Sequence, residues 1–211
     1  MEKLANKAAN KIGASLGSDE EKIAVMAYGL TAIIQLSIIF IFSLAVGLIF
    51  KCLVETMIIF FSVGFLRRTI GGTHSSSFNG CLIISILCIA LFSLFSRYIV
   101  FAYVDTIYTI ICLTAIYLFA YINVYRLAPV DSPNKRIKGE NRIKKLRRMA
   151  FIILTIYMLF SVALITLQLC FGHYYKSYAI SLSLAVLWQV CMLTNIGAAI
   201  IGKIDRLFKC G

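Results

Sequence analysis

Charge is scarce in this chain. Of its 211 residues only 14% are Asp, Glu, Lys or Arg, while 61% are hydrophobic. A water-soluble globule of this size needs more polar surface than that, so this class is excluded. Acid is scarcer still, with 9 Asp and Glu against 21 Lys and Arg and a formal net charge of +12. The cations sit between apolar runs, which points to lipid headgroups as their partners and not to nucleic acid. The chain has seven cysteines (Cys52, Cys81, Cys88, Cys112, Cys170, Cys191 and Cys210) but no Cys-x-x-Cys pair. An odd count lying mostly within apolar runs argues against a disulfide framework or a zinc site. No metal or cofactor is expected, and most of the cysteines read as small core residues.

What is abundant is apolar sequence in long runs. Residues 1–22 are mixed. Lys3, Lys7 and Lys11 recur every four residues, with Leu4, Ala8 and Ile12 at the same spacing beside them. This predicts a short amphipathic cytoplasmic helix on the membrane surface, with a solvated tail as the alternative. The first run starts too late and is too long for a signal peptide. Ser18-Asp19-Glu20-Glu21 has the form of a capping box and leads into that run, Ile23 to Phe50. Further runs cover Leu53 to Leu66, Cys81 to Phe95, Thr106 to Tyr125, Met149 to Phe171 and Tyr178 to Ile201. Both prolines, Pro129 and Pro133, fall in the polar stretch 126–148, which reads as a basic cytoplasmic loop. The predicted fold is all-α: one polytopic membrane domain, 1–211, with six hydrophobic helices.

Counting cations orients these runs. With the N-terminus inside, the inner segments hold four Lys before the first run, Arg67 and Arg68, nine cations in 126–148 and three after residue 201. The outer segments hold only Lys51, Arg97 and Lys176. Such a bias predicts a multi-pass cell-membrane protein with both termini cytoplasmic. The second and third runs look short, since a crossing needs about 17–20 residues. Either they thin the bilayer or they span it only partly, which would set residues 69–80 in a sheltered pocket at the cytoplasmic face.

That segment reads Arg67-Arg68-Thr69-Ile70-Gly71-Gly72-Thr73-His74-Ser75-Ser76-Ser77-Phe78-Asn79-Gly80-Cys81. It holds one of the chain's two histidines and, seven residues later, a cysteine. Imidazole and thiol form the minimal unit of thiol nucleophilic catalysis. The favoured arrangement bends the backbone at Gly71-Gly72 and starts a helix near the serines, capped by Ser76, Ser77 or Asn79. Cys81 then lies in the first turns, where the helix dipole favours a thiolate and backbone N–H groups can hold an oxyanion. Against this, a lone Cys opening an apolar run is more often a buried small residue. A serine nucleophile among Ser75–Ser77 lacks a neighbouring acid to orient His74. His173, in an outer turn, reads as a plain surface residue.

The stretch resembles the accessory gene regulator B (AgrB) family of membrane cysteine peptidases. Arg67, Gly71-Gly72, His74 and Cys81 match its pattern, with Ser75 where many members have Ala. The Pro-containing, Lys-rich opening Ala128-Pro129-Val130-Asp131-Ser132-Pro133-Asn134-Lys135-Arg136 is a second match, and length and run order agree. The resemblance implies that Cys81 attacks a precursor peptide (AgrD-like) on the C-terminal side of its future ring and expels an acidic C-terminal piece. An internal cysteine or serine of the bound peptide would then close a thiolactone or lactone autoinducing peptide. Arg67, Gly71 and Gly72 would support the loop or bind substrate. Lys135 and Arg136 would meet the acidic tail, although positive-inside anchoring accounts for most of the loop's cations. The family likeness also implies a homodimer. Competing classes are a small peptide transporter or exporter without proteolytic activity and a non-catalytic scaffold. No run carries a charge at its centre, as a transporter's usually would, and a scaffold gives no reason for Gly-Gly-x-His-x6-Cys.

Overall fold

The computed structural model describes residues 2–17, 19–72, 78–130 and 140–209, with side chains described from 5 to 203. Among these residues the only regular structure is helix. Helix α1 (Glu2–Ser15) is followed by α2 (Glu20–Ile49), α3 (Leu53–Ile70), α4 (Phe78–Tyr103) and α5 (Thr106–Leu127). Then come α6 (Glu140–Phe171), α7 (Tyr175–Cys191) and α8 (Asn195–Lys209). A helix satisfies its own N–H and C=O groups, which lipid cannot do. Four helices, α2, α4, α5 and α6, are long and apolar enough to cross a membrane. The bent pair α7–α8 makes a fifth if it counts as one span.

Two expectations about length are overturned. The third run is not short, because α4 continues through Arg97 to Tyr103 with a π-helical turn over Phe95–Val100. Arg97 does not end the helix because its guanidinium is not left to lipid. It lies 3.4 Å from the Glu55 carboxylate, which is buried, and over the Tyr174 ring. The sixth run, by contrast, does not continue to Ile201. Helix α7 stops at Cys191 and α8 leaves it at 86°. Gly197 permits this bend, since a Cβ there would stand 2.3 Å from the Cys191 carbonyl oxygen. The short helices are therefore α3, with 18 residues, and α7, with 17.

These two short helices form the centre of the bundle. Helix α3 carries Glu55, Arg67 and Arg68, and α7 buries Lys176, Ser177, Ser181, Ser183 and Gln189. Neither suits a lipid-facing position. They pack on each other, with α2, α5 and α6 around them. Leu66 and Ile70 meet Leu113, Ala120 and Val124 of α5, Leu154 of α6, and Val186 and Val190 of α7 in one apolar core. Ile39, Ile59, Ile89 and Ala185 form a second. Hydroxyl pairs tie α5 to α6, Tyr117 to Ser161 at 2.8 Å and Tyr121 to Thr155 at 2.7 Å. The long helices turn Ile33, Ile41, Ile107, Ile111, Leu159 and Phe160 outward, a surface that calls for lipid and not water.

Smaller differences follow from packing. Helix α1 forms, but it buries Ala5, Ala9 and Gly13 against α2, while Ala8 and Ile12 of the expected stripe are exposed. Small residues let the two axes close, and a Cβ on Gly13 would lie 2.4 Å from Ile23. Helix α2 starts one residue later than the capping box implies, with Asp19 as N-cap and no side-chain cap bond. Ser18 lies outside the described residues. Residues 140–148 are helix, not loop, with Glu140 and Lys144 paired at 3.8 Å one turn apart. Cys112 and Cys170 are exposed on the bundle's flank, whereas Cys52 is buried.

The Glu55–Arg97 pair gives a test of this architecture. Removing one partner of a buried pair costs about 3–5 kcal/mol, so Glu55→Ala should lower the thermal midpoint of the detergent-solubilised protein by many degrees. The double change Glu55→Met with Arg97→Met should recover most of that loss. Equal midpoints for Glu55→Ala and the unaltered chain would show that the pair does not hold α3 to α4.

Candidate functional site

The segment expected to carry chemistry begins where α3 runs out. Its last turn closes with the Gly71 N–H donating to the Arg67 carbonyl at 3.0 Å. The chain then leaves through Gly71 (φ 73°, ψ −142°) and Gly72 (φ 128°), a backbone that side-chain-bearing residues rarely adopt. This turn is gripped from two sides. The Val130 N–H donates to the Ile70 carbonyl at 3.0 Å, and a Cβ on Gly71 would stand 2.4 Å from the Val130 oxygen. From the other side, Gln189 Nε2 donates to the Gly71 carbonyl at 2.7 Å. Gly72 is buried, and a Cβ there would touch Gln189 and Met192 at 3.4 Å. Arg147 Nε in turn donates to the Ala128 carbonyl at 2.8 Å and fixes the 128–130 segment.

The chemistry of Gln189 explains its place. An amide buried without partners costs about 1–3 kcal/mol, and the carbonyl of a residue leaving a helix needs a donor. Each group satisfies the other. Neither Gln189 nor Val130 stood out as a site residue in the sequence. The available signal was a lone glutamine inside the last apolar run.

Cys81 is the fourth residue of α4 and is half-buried. The first turn of a helix offers N–H groups without intrahelical acceptors and a positive dipole end. The Cys81 carbonyl accepts the Ser85 hydroxyl at 2.7 Å. Ile84, three residues beyond Cys81, packs with Met192 and with Ile201 of α8. Met192 therefore touches both halves of the site, the glycine turn and the helix that carries the thiol. Gly71, Gly72 and Cys81 share one end of the bundle.

The other expected residues divide as follows. Arg67 sits half-buried on the last turn of α3, with Nε shielded from solvent. His74, Ser75, Ser76 and Ser77 lie outside the described residues, as do Lys135 and Arg136. Asn79 is the second residue of α4 and exposed, so it is inside the helix and does not cap it. His173 is exposed near the start of α7, its ring edge-on to Tyr175, as a surface residue would be.

Long apolar helices around a polar centre, with a half-buried thiol on a helix's first turn and a pinned glycine turn at the same bundle end, define a multi-pass membrane protein with a candidate site there. The chain belongs to the accessory gene regulator B family, whose sequence model matches residues 5–193. AgrB-like proteins from two strains of Clostridium perfringens are 32% identical over 206 residues, covering 97% of this chain and 96% of theirs. Another from Halalkalibacterium halodurans is 24% identical over 213 residues, covering 100% of this chain and 95% of its own. No solved structure matches. Membership gives this protein a role in the accessory gene regulator system, whose general partner is an AgrD-type precursor peptide.

The glycine turn can be tested against a control on the same helix. Gly71→Ala meets both a disallowed backbone and the Val130 oxygen, and strain of this kind costs on the order of 1–3 kcal/mol before any clash. Gly64→Ala points into open space. Thermal unfolding in detergent should show a clear loss for the first and none for the second. Equal midpoints for the two variants would mean that the 128–130 segment does not grip the turn.

Proposed function

We propose that this protein is a membrane cysteine endopeptidase that matures a quorum-sensing precursor peptide. The observation that carries the proposal is the position of Cys81 on the first turn of α4, at the bundle end where the two glycines just before His74 are pinned. His74 takes the Cys81 proton, and the thiolate attacks the scissile carbonyl on the C-terminal side of the future ring. The C–N bond breaks, the leaving amine takes its proton from the His74 imidazolium, and the N-terminal part stays as a thioester on Cys81. A cysteine thiol or serine hydroxyl of the bound peptide then attacks that thioester. A thiolactone or lactone forms, and the Cys81 thiol is regenerated.

Cysteine suits this sequence of steps because exchanging one thioester for another is nearly isoenergetic. A tethered internal thiol also has a high effective concentration and outcompetes water in a sheltered site. Lys135 and Arg136 would receive the acidic tail of the precursor, and Arg67 would support the turn or pair with a substrate carboxylate. In this reading α3 and α7 also cross the bilayer, with Glu55, Ser177 and Gln189 enclosed in the bundle and the apolar Phe61 and Phe65 turned to lipid. Both termini and the Cys81 end then face the cytoplasm, and a second copy of the chain completes a homodimer.

Co-expression with the precursor separates peptidase from exporter. Cys81→Ser should abolish cleavage, and His74→Ala should slow it by about 10²–10⁴-fold, the usual worth of a general base, with unchanged protein levels in the membrane. Blotting for the released C-terminal fragment is the readout. Normal fragment levels inside cells carrying Cys81→Ser would overturn the peptidase reading and favour an exporter.

A further inference from the structure

The end of the bundle opposite Cys81 holds a second polar site that the peptide chemistry does not use. A pocket of about 450 Å³ opens there, lined by Gly47, Lys51, Glu55, Arg97, Tyr174 and Tyr178 among others. Its base is built from buried polar groups. One Glu55 oxygen accepts both the Arg97 guanidinium and the Ser177 hydroxyl, and Arg97 stacks 3.3 Å over the Tyr174 ring. The π-helical turn over Phe95–Val100 carries Arg97 to this position, and such turns often occur at functional sites.

Lys51 is the residue that needs explaining. It follows the last turn of α2, where the Cys52 N–H returns to the Gly47 carbonyl at 2.9 Å and the Lys51 N–H to the Leu48 carbonyl at 3.4 Å. That is the bonding pattern of a Schellman motif, whose left-handed position is normally glycine. Here Lys51 occupies it with φ 51°. It is exposed, lines the pocket and has no ion-pair partner among the described residues. Lys51 and Arg97 against Glu55 leave one net positive charge in the pocket. Around its mouth, Leu48 and Val54 are exposed, and Tyr98, Tyr103, Tyr174, Tyr175 and Tyr178 cluster at the same end, as aromatics do at a membrane interface. A monoanionic head beside an alkyl-facing wall describes an amphiphile.

We propose that this pocket seats the phosphate of an anionic phospholipid headgroup between Lys51 and Arg97. The acyl chains then lie along Leu48 and Val54. The phosphodiester would accept from Arg97 and pair with Lys51, which has no ion-pair partner among the described residues. The site is independent of the peptidase reading, since none of its residues lies near Cys81.

The experiment titrates short-chain phosphatidylglycerol into the full-length protein in neutral detergent and reads Kd. Short-chain phosphatidylcholine and inorganic phosphate serve as parallel arms. Phosphatidylglycerol should bind clearly more tightly than either. Lys51→Gln should weaken it about fivefold, the worth of one surface cation near a lipid phosphate. Lys51→Gly should weaken it similarly while raising the thermal midpoint, because glycine relieves the left-handed strain. Lost binding therefore cannot be put down to a damaged fold. Unchanged affinity in Lys51→Gln, or equal affinity for phosphatidylcholine, would overturn the proposal. Inorganic phosphate binding as tightly as the lipid would overturn the lipid as occupant.

Discussion

The structure depends on the pairing of α3 with α7, which is fastened by a polar bond at each end. Ser177, at the start of α7, donates to Glu55 at the start of α3. At the far end Gln189 donates to the carbonyl of Gly71, just past the end of α3. These helices run parallel and carry charges and amides that lipid rejects; α7 buries most of its side chains, and α3 buries the face that carries Glu55, Ile59, Leu66 and Ile70. A polar bond in such surroundings is worth only about 1 kcal/mol net. The larger effect is on alternatives, since sliding either helix along the other would strand a carboxylate and an amide in an apolar interior.

This constraint passes directly into the site. Because Gln189 fixes where Gly71 sits, it also fixes the point from which the chain departs toward His74. Met192, three residues on, packs under Gly72 and against Ile84 of the helix that carries Cys81. One short stretch at the end of α7 thus sets the relation between the two halves of the proposed active site. The amphipathic α8, which adds Ile201 to the same cluster, ties that relation to an element suited to lying along a membrane surface.

The two ends of the bundle divide the polar work. At the Cys81 end, Arg147 and Val130 hold a strained turn in place. At the other end the three cations expected outside each have an identifiable setting. Arg97 is paired and stacked, Lys176 donates to the Val104 carbonyl, and Lys51 opens onto a pocket. Charge that looks like an exception to the loop bias is in two cases internal structure.

Much of this was legible from the chain alone. Long apolar runs with few charges determine a helical membrane protein, because lipid leaves the backbone no other partners. Gly71, Gly72 and Cys81 stood out because their residue types and order suit a thiol site. The short second run, α3, was legible as well, but that the third run is long and the sixth broken was decided only by tertiary structure. Arg97 looked like a terminus until Glu55 neutralised it, and the run to Ile201 looked continuous until Gly197 let α8 fold back across Cys191. Gln189 and Val130 were hidden for a similar reason. A hydrogen bond spanning 118 residues leaves no period in the sequence. Local pattern records what each segment's solvent must be, and only the packed bundle decides which distant groups satisfy one another.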